Sequence, residues 1–87
     1  MADPAPLSLA DLAPGADARV EEVDTESPIG RRLLDLGFVP GTAVRVLRRA
    51  PLGDPVEYEL RGYRLCLRRT EARRVKVRPA LAGDPPR

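Results

Sequence analysis

The side chains that most often carry catalysis are scarce in this chain. It contains 87 residues, no histidine and a single cysteine, Cys66. Without histidine a Ser/His/Asp or Cys/His arrangement cannot form, and the most common transition-metal ligand is missing. Cys66 alternates with Leu65 and Leu67, which is typical of an inert cysteine on a sheet face. No G-x-x-x-x-G-K-S/T run is present to hold a nucleotide. The sequence therefore predicts no enzyme and no bound cofactor.

A group of carboxylates is the remaining candidate for metal chemistry. Glu21, Glu22, Asp24 and Glu26 offer the hard oxygen ligands that ferrous ion accepts. The group has no imidazole or thiolate, and it leads into a predicted loop, where acidic side chains are usually solvated. We therefore predict no metal site there. The single cysteine excludes an internal disulfide, as is usual in a reducing compartment.

Charge is distributed unevenly along the chain. Residues 1–43 contain three arginines and eight acidic residues, a balance of −5, and residues 44–87 contain twelve basic and five acidic residues, a balance of +7. Such a split can mark a surface that binds nucleic acid or anionic lipid, or the two halves can pair with each other in the fold. The net charge of +2, the single lysine and the three aromatic residues argue against nucleic acid.

The central element is a short helix that starts at Ser27. Ser27 can cap the first turn with its hydroxyl, and Pro28 suits the first helical position, where no N–H donor is needed. Ile29, Leu33 and Leu36 are expected on one apolar face. A helix of this length is marginal alone, so it must pack against the rest of the domain.

Turn signals follow the helix. Gly37 is expected to end it in a Schellman motif, with Phe38 folding back on Leu33. Pro40-Gly41 suits the two central positions of a type II turn. The chain then enters a strand at residues 42–47, which are rich in β-branched side chains.

The remaining segments predict short strands. Residues 18–23 are strand-like, with a one-residue slip in the apolar period that indicates a bulge. Residues 48–55 read as an irregular loop, residues 56–67 as a hairpin with a type II′ turn at Gly62-Tyr63, and residues 75–77 as a last strand. We therefore expect a mainly β fold: a small SH3-like five-stranded barrel, with one short α-helix inserted after the first strand. The barrel is assigned to residues 7–78, between a disordered N-terminus at 1–6 and a disordered tail at 79–87.

The sequence resembles the FeoA family of ferrous iron transport proteins. The resemblance lies in L-S-L-A-D-L-A-P-G, in D-L-G followed by P-G-T, in the loop A-P-L-G-D-P, and in the leucine that leads to E-A, all in this order between Leu7 and Val77. It implies a cytoplasmic SH3-like barrel that binds, and modulates or supports, a membrane GTPase transporter of the FeoB type. The same domain type also forms the C-terminal module of metal-dependent repressors. No winged-helix segment precedes it here, so the free-standing form is the better match.

Three surfaces are predicted to contact a partner. The helix and the loop carry apolar residues without an evident partner on rigid Gly/Pro scaffolding, and we expect them to lie close together as one docking face. The predicted contact residues are Arg31, Arg32 and Leu34 of the helix, Pro51, Leu52 and Asp54 of the loop, and Arg61 and Tyr63 of the hairpin. No apolar run approaches the roughly 20 residues that cross a bilayer. A cytoplasmic protein is therefore expected, with a weak contact to the anionic inner face of the membrane as a further possibility.

Overall fold

Six antiparallel strands form one sheet in the computed structural model, which describes residues 7–80. The elements are β1 (Leu7–Ser8), a 3₁₀ turn (Leu9–Asp11), β2 (Asp17–Val23), α1 (Pro28–Asp35), β3 (Ala43–Arg49), β4 (Val56–Leu60), β5 (Tyr63–Leu67), α2 (Arg69–Ala72) and β6 (Val75–Pro79). The strand order is β1-β6-β2-β3-β4-β5. Compared with the five predicted strands, the additional one is β1, whose two residues are too few to show an alternating pattern. The termini predicted as disordered lie outside the described residues, apart from Pro79 in β6 and Ala80.

The predicted slip in β2 is a β-bulge. Val20 pairs with Val77 of β6, whereas Glu22 pairs with the adjacent Lys76, so the register shifts by one residue between them. The shift brings Val23 back to the buried side of the sheet, where it joins Val20 in the core. The bulge therefore explains how two valines three positions apart face the same way.

Helix α1 begins and ends as predicted. The Ser27 hydroxyl oxygen accepts a hydrogen bond of 2.9 Å from the Gly30 amide. At the other end the amide of Phe38 donates to the carbonyl of Leu33 (3.1 Å) and the amide of Gly37 to that of Leu34 (3.0 Å). These two bonds, with Gly37 at φ +114°, make the Schellman motif. Phe38 is thereby fixed in the core, fully buried.

The buried face of α1 differs from the predicted one. Leu33 is buried as predicted, but Ile29 is 37% exposed and Gly30 is buried in its place. A Cβ atom at position 30 would overlap the carbonyl oxygen of Asp24, so the first turn of the helix lies directly against the backbone before it. Because the closest approach is through a glycine, the apolar pattern alone could not locate it.

The hairpin turn lies one residue earlier than predicted. Leu60 pairs with Tyr63, so the two loop residues are Arg61 and Gly62, and Tyr63 is the first residue of β5. Both loop residues have positive φ, +50° and +84°, as in a type I′ turn. This register places Glu59 opposite Arg64. A turn at Gly62-Tyr63 would instead have placed two arginines opposite each other, which is unfavourable.

An aliphatic core fills the space between the sheet and the helices. Tyr58 and Phe38 are its largest fully buried side chains. The buried residues are Leu9, Ala10, Ala18, Val20, Val23, Leu33, Phe38, Val44, Val46, Val56, Tyr58, Leu60, Leu67, Ala72, Val75 and Val77. They come from β2 to β6, both helices, the 3₁₀ turn and the connection between α1 and β3, so no part of the described chain has a separate core.

Oppositely charged residues from the two halves of the chain pair on the surface. Arg45 binds both carboxylate oxygens of Asp17, at 3.0 and 3.1 Å. Arg74 lies 3.1 Å from Asp24, and Lys76 lies 3.3 Å from Glu22. Part of the charge asymmetry in the sequence is therefore neutralised within the fold.

Candidate partner-binding surface

The Leu52 loop, residues 50–55, is a rigid connection between β3 and β4. Strand β3 continues through Arg49, two residues further than predicted, which shortens the irregular segment. The amide of Gly53 donates to the carbonyl of Ala50 at 2.7 Å, and the amide of Ala50 donates to the carbonyl of Pro55 at 2.9 Å. Within this frame Leu52 is 97% exposed, whereas most of the other large apolar side chains of the described chain are buried or half-buried. The loop therefore holds a leucine out in solvent.

Asp54 connects the loop to α2. One of its carboxylate oxygens accepts a hydrogen bond of 2.9 Å from the backbone amide of Arg69, the first residue of that helix. Amides in the first turn of a helix have no partner within the helix, and a negative charge there is favourable. The predicted contact residue Asp54 thus has a structural role, because it fixes the position of the loop.

Helix α2 is in turn connected to α1. Glu71 lies 3.4 Å from Arg32, and its other oxygen accepts a 2.9 Å hydrogen bond from the amide of Arg68. A shallow groove of about 400 Å³ lies between the two helices and is lined by Ile29, Arg32, Arg68, Thr70 and Glu71. The described hydrogen bonds thus join α1 to the Leu52 loop through α2, and no direct bond between helix and loop is among them.

The other predicted contact residues are distributed around α1. Arg31 is exposed, and Leu34 is half-buried and packs against the core. Arg61 lies in the hairpin turn and Tyr63 directly after it, and both approach Gly37 at the C-terminal end of α1. The hairpin residues thus lie by the end of α1, and Leu52 lies beyond α2.

A second groove adjoins the loop on the outside of the sheet. It has a volume of about 370 Å³ and is lined by Arg48, Arg49, Ala50, Pro51, Pro55, Glu57 and Cys66. Cys66 is exposed on this face, as the alternation with buried or half-buried leucines predicts. Arg48 is paired with Glu57 at 2.9 Å, so the groove is only partly basic.

Two arginines near the loop affect the pKa of the buried Tyr58. Burial raises the pKa of its hydroxyl to about 12, while Arg49 and Arg69 act in the opposite direction. These arginines therefore lie near Tyr58, at the base of the loop. The hydroxyl of Tyr58 donates a long hydrogen bond of 3.4 Å to the carbonyl of Leu9. At neutral pH the tyrosine is thus an uncharged part of the core.

Sequence reasoning missed the role of α2. Its arginines were counted only as part of the basic half, and Glu71 only as part of the E-A match to the FeoA family. The available signal was Glu71 three residues after Arg68, a spacing that allows the carboxylate to accept from the amide before the helix. Nothing in the sequence indicated that Glu71 would also reach Arg32.

Two of the acidic residues at the end of β2 and in the loop after it pair with basic residues. Glu22 pairs with Lys76 and Asp24 with Arg74, and a second oxygen of Asp24 accepts from the amide of Glu26. Within residues 7–80 no group of three or more histidine, cysteine or acidic side chains is placed to hold a metal ion. Nor does that part of the chain contain a helix of the length and apolarity that a bilayer crossing requires.

A small antiparallel sheet with short connecting helices and a stiff exposed loop defines an SH3-like domain. The structure of FeoA from Stenotrophomonas maltophilia in complex with zinc, described as a prokaryotic SH3 domain protein, matches with a TM-score of 0.74 and 37% identity, over 83% of this chain and 89% of that one. The SH3-like fold predicted from the sequence is thereby confirmed. FeoA from Chlorobium tepidum matches with a TM-score of 0.76 and 46% identity, over 91% of this chain and 74% of that one.

The FeoA domain family matches residues 7–79, and this chain belongs to that family. A relative from Porphyromonas gingivalis, a fusion of an Fe(2+) transport protein A with the Fe(2+) transporter FeoB, is 35% identical over 71 residues. The match covers 82% of this chain and 8% of the fusion protein. The family assignment confirms the resemblance to the FeoA family that the sequence showed.

Proposed function

We propose that this protein is a non-enzymatic docking module that binds a membrane GTPase transporter of the FeoB type on its cytoplasmic side and modulates or supports ferrous iron uptake. The Porphyromonas gingivalis relative supports this, because it carries both parts in one polypeptide. Fusion keeps two domains at a high effective concentration, which benefits domains that work in contact. Where the domain is not fused to the transporter, a specific surface has to supply the affinity.

The exposed Leu52 is the observation on which the choice of surface rests. It is 97% exposed on a loop that is closed by two short backbone hydrogen bonds and tied to α2 through Asp54. A loop backbone that is already held in one place loses little conformational freedom when a partner covers its side chain. Leu52 is therefore suited to be the central anchor of an interface.

The surroundings of Leu52 suit an apolar pocket with an acidic rim on the partner. Arg68 and Arg69 are exposed at the start of α2, and Ile29 adds a partly exposed apolar side chain across the groove between the helices. We call this surface, formed by the Leu52 loop, α2 and the first turn of α1, the docking face. Arg31 of α1, together with Arg61 and Tyr63 beside the end of that helix, would extend the contact.

The decisive experiment replaces Leu52. We expect Leu52→Glu to weaken binding to a purified cytoplasmic domain of a FeoB-type transporter about tenfold or more, since the loss of a central anchor costs about 2 kcal/mol or more. Isothermal titration calorimetry with wild type and variant measures the ratio. Ala13→Glu, which adds the same charge on another exposed loop, should leave the affinity unchanged. A folded Leu52→Glu protein that binds as tightly as wild type would remove the loop from the interface.

Nucleic-acid binding is the alternative that the arginine-rich second half suggested. Phe38 and Tyr58 are fully buried, and Tyr63 is 39% exposed, so no row of aromatic side chains is available for stacking bases in the described chain. Fluorescence polarisation with short RNA and DNA over a salt series tests this function. Tight binding with a steep salt dependence would favour it over protein docking.

A further inference from the structure

Arginines without a charge partner are concentrated around α2. Many basic side chains of the described chain are paired, as Arg32 is with Glu71 and Arg48 with Glu57. Within residues 7–80 the arginines whose guanidinium groups have no ion pair and donate no hydrogen bond are Arg31, Arg61, Arg68, Arg69 and Arg73. The last three lie together at residues 68–73. The positive charge that the fold leaves uncompensated is therefore greatest at the docking face.

The carboxylates next to these arginines are already engaged. Asp54 accepts a 2.9 Å hydrogen bond from the amide of Arg69. Glu71 accepts one of 2.9 Å from the amide of Arg68, and its other oxygen lies 3.4 Å from Arg32. Because backbone amides and α1 hold both carboxylates, the guanidinium groups around α2 remain available for an anionic group.

Thr70 lies between these arginines. Its side chain is exposed and lines the groove between α1 and α2, and its hydroxyl makes no hydrogen bond within the described residues. Among the other serine and threonine hydroxyls of that part of the chain, those of Ser8 and Ser27 are hydrogen-bonded and Thr42 is half-buried. Thr25 is exposed but lies in an acidic segment. Thr70 is therefore the accessible threonine with basic neighbours.

We propose that Thr70 is a phosphorylation site and that its phosphate closes the docking face to an acidic partner; the second part rests on the proposed function. The Thr70 hydroxyl oxygen bonds to the γ-phosphorus of ATP, the bond from that phosphorus to the departing ADP oxygen breaks, and the hydroxyl proton passes to a base of the kinase. A serine/threonine kinase with an acidic substrate groove fits this acceptor, because Arg68 and Arg69 directly precede it. Helix α2 is too short to persist by itself, so it can open locally to enter such a groove.

The phosphate acts through the neighbouring arginines. A phosphothreonine carries a charge of about −1.5 to −2 at pH 7 and three strong acceptor oxygens. Arg69 directly precedes Thr70, and Arg73 follows three positions later, a spacing that brings side chains together on a helix surface. Pairing with these guanidinium groups compensates their charge and places the phosphate in the groove that an acidic rim has to approach. Like-charge repulsion then opposes docking.

Phosphorylation of the folded chain tests the site itself. We expect incubation with ATP and a kinase that selects two arginines before the acceptor to add one phosphate, located at Thr70 by mass spectrometry. Thr70→Val should abolish this modification, and Thr25→Val should leave it unchanged. Modification at Thr25 instead, or no modification of the folded chain, would overturn the proposal. The measurement does not involve the transporter, so it decides the site whether or not the docking face binds one.

A homogeneous phosphoprotein tests the effect on docking. Native chemical ligation of residues 1–65 to a synthetic segment 66–87 at Cys66 gives the natural sequence with phosphothreonine at position 70. We expect it to bind the cytoplasmic domain of a FeoB-type transporter at least about tenfold more weakly than the unphosphorylated ligated protein in isothermal titration calorimetry. Equal affinity would overturn the regulatory role. If neither protein binds, the proposed function fails, and the pairing of the phosphate is decided separately.

Phosphorus NMR measures that pairing in the isolated phosphoprotein. The second pKa of a phosphothreonine is ordinarily about 6, and nearby cations lower it. We expect a pKa of about 5.5 or lower, and a value closer to 6 in the phosphoprotein that carries Arg73→Gln. A pKa of 6 or above in the unsubstituted phosphoprotein would show that the arginines do not hold the phosphate, which contradicts the proposed effect on the docking face.

Discussion

Gly30 shows how one residue can fix the position of an element. Glycine inside a helix is normally less favourable than alanine by about 0.5 to 1 kcal/mol. Here the position faces the carbonyl of Asp24, and a Cβ atom would overlap that oxygen. The glycine amide also donates to the Ser27 hydroxyl at 2.9 Å. The helix therefore needs glycine for close packing rather than for backbone flexibility.

The packing role of Gly30 reverses the usual effect of alanine. We expect Gly30→Ala to lower the free energy of unfolding by about 1 to 3 kcal/mol, because the first turn of α1 must move away from residue 24. Urea denaturation followed by circular dichroism measures the change. Gly15→Ala is the comparison, since φ is +88° there but no atom lies within 4 Å of the added Cβ. Its cost should be about 1 kcal/mol from strain alone. A more stable Gly30→Ala protein would show that the helix start is not constrained.

The raised pKa of Tyr58 predicts that the protein becomes less stable at alkaline pH. The ordinary tyrosine pKa is 10.0, and burial raises that of Tyr58 to about 12 in the folded protein. Between these values the unfolded chain has already lost the proton that the folded chain keeps. The protonated Tyr58 hydroxyl therefore makes its full contribution to stability below pH 10. The free energy of unfolding decreases as the pH rises through the pKa of the folded protein.

Tyr58→Phe isolates this effect from other alkaline titrations. The variant should lose up to about 1 kcal/mol at neutral pH with the hydrogen bond to Leu9, and should decline less steeply than wild type between pH 10 and 12. Urea unfolding at a series of pH values gives both curves. Parallel curves for the two proteins would show that the buried hydroxyl does not control the alkaline decline.

Helix α2 is very short, but it joins the Leu52 loop to α1. It contains four residues, yet it is hydrogen-bonded to Asp54 of the Leu52 loop and ion-paired with Arg32 of α1. So short a helix cannot persist by its own hydrogen bonds, and its capping contacts must hold it. The Asp54 carboxylate is therefore expected to order both the start of α2 and the Leu52 loop.

Removing the Asp54 carboxylate should loosen both elements together. In Asp54→Ala we expect hydrogen exchange at the Arg69 amide to accelerate about tenfold, because a charge-assisted hydrogen bond is lost. Asp54→Asn retains an oxygen acceptor and should show a smaller change. Amide exchange measured by NMR compares the variants, with the core amide of Val46, which bonds to Ala16 at 3.0 Å, as reference. Equal exchange at Arg69 in all three proteins would mean that the bond does not hold the helix.

Local patterns predicted the elements better than the contacts between them. Ser27, Gly37 and Pro40-Gly41 act within a few residues, so the helix limits and the following turn could be predicted from the sequence. The hairpin turn was misplaced by one residue, because Gly62 suits either turn and both registers keep the leucines on one face. The Arg32, Glu71 and Asp54 contacts join residues 15 to 39 positions apart, and no local pattern encodes them.

In the candidate site, too, local features could be predicted from the sequence and contacts between distant residues could not. The exposure of Leu52 was predicted, because two prolines and a glycine exclude the loop from helix and sheet. The groove between the two helices was not, because it depends on the packing of α1 beside α2. The exposed Ile29 was wrongly assigned to the buried face, since the close approach at Gly30 rotates the helix.

For the whole molecule, the uneven charge distribution becomes a pattern of surface ion pairs. Acidic residues of the first half pair with basic residues of the second: Asp17 with Arg45, Glu22 with Lys76, and Asp24 with Arg74. These pairs join β2 and the loop after it to β3, to β6 and to the residue just before β6. The charges therefore support the same arrangement of strands that the core requires. Screening these ion pairs with salt should lower the free energy of unfolding without changing the arrangement of the strands.

This reasoning gives a prediction for the salt dependence of stability. Asp24–Arg74 and Glu22–Lys76 are exposed pairs worth about 0.2 to 1 kcal/mol each, so the free energy of unfolding should fall by about 1 kcal/mol from low to high sodium chloride. Urea is the suitable denaturant, since it carries no charge. The double variant Glu22→Gln/Asp24→Asn removes both carboxylates and should lose most of the salt dependence. If stability instead rises with salt, repulsion among the arginines outweighs the pairs, and the charge split would be better explained by an acidic partner outside the chain.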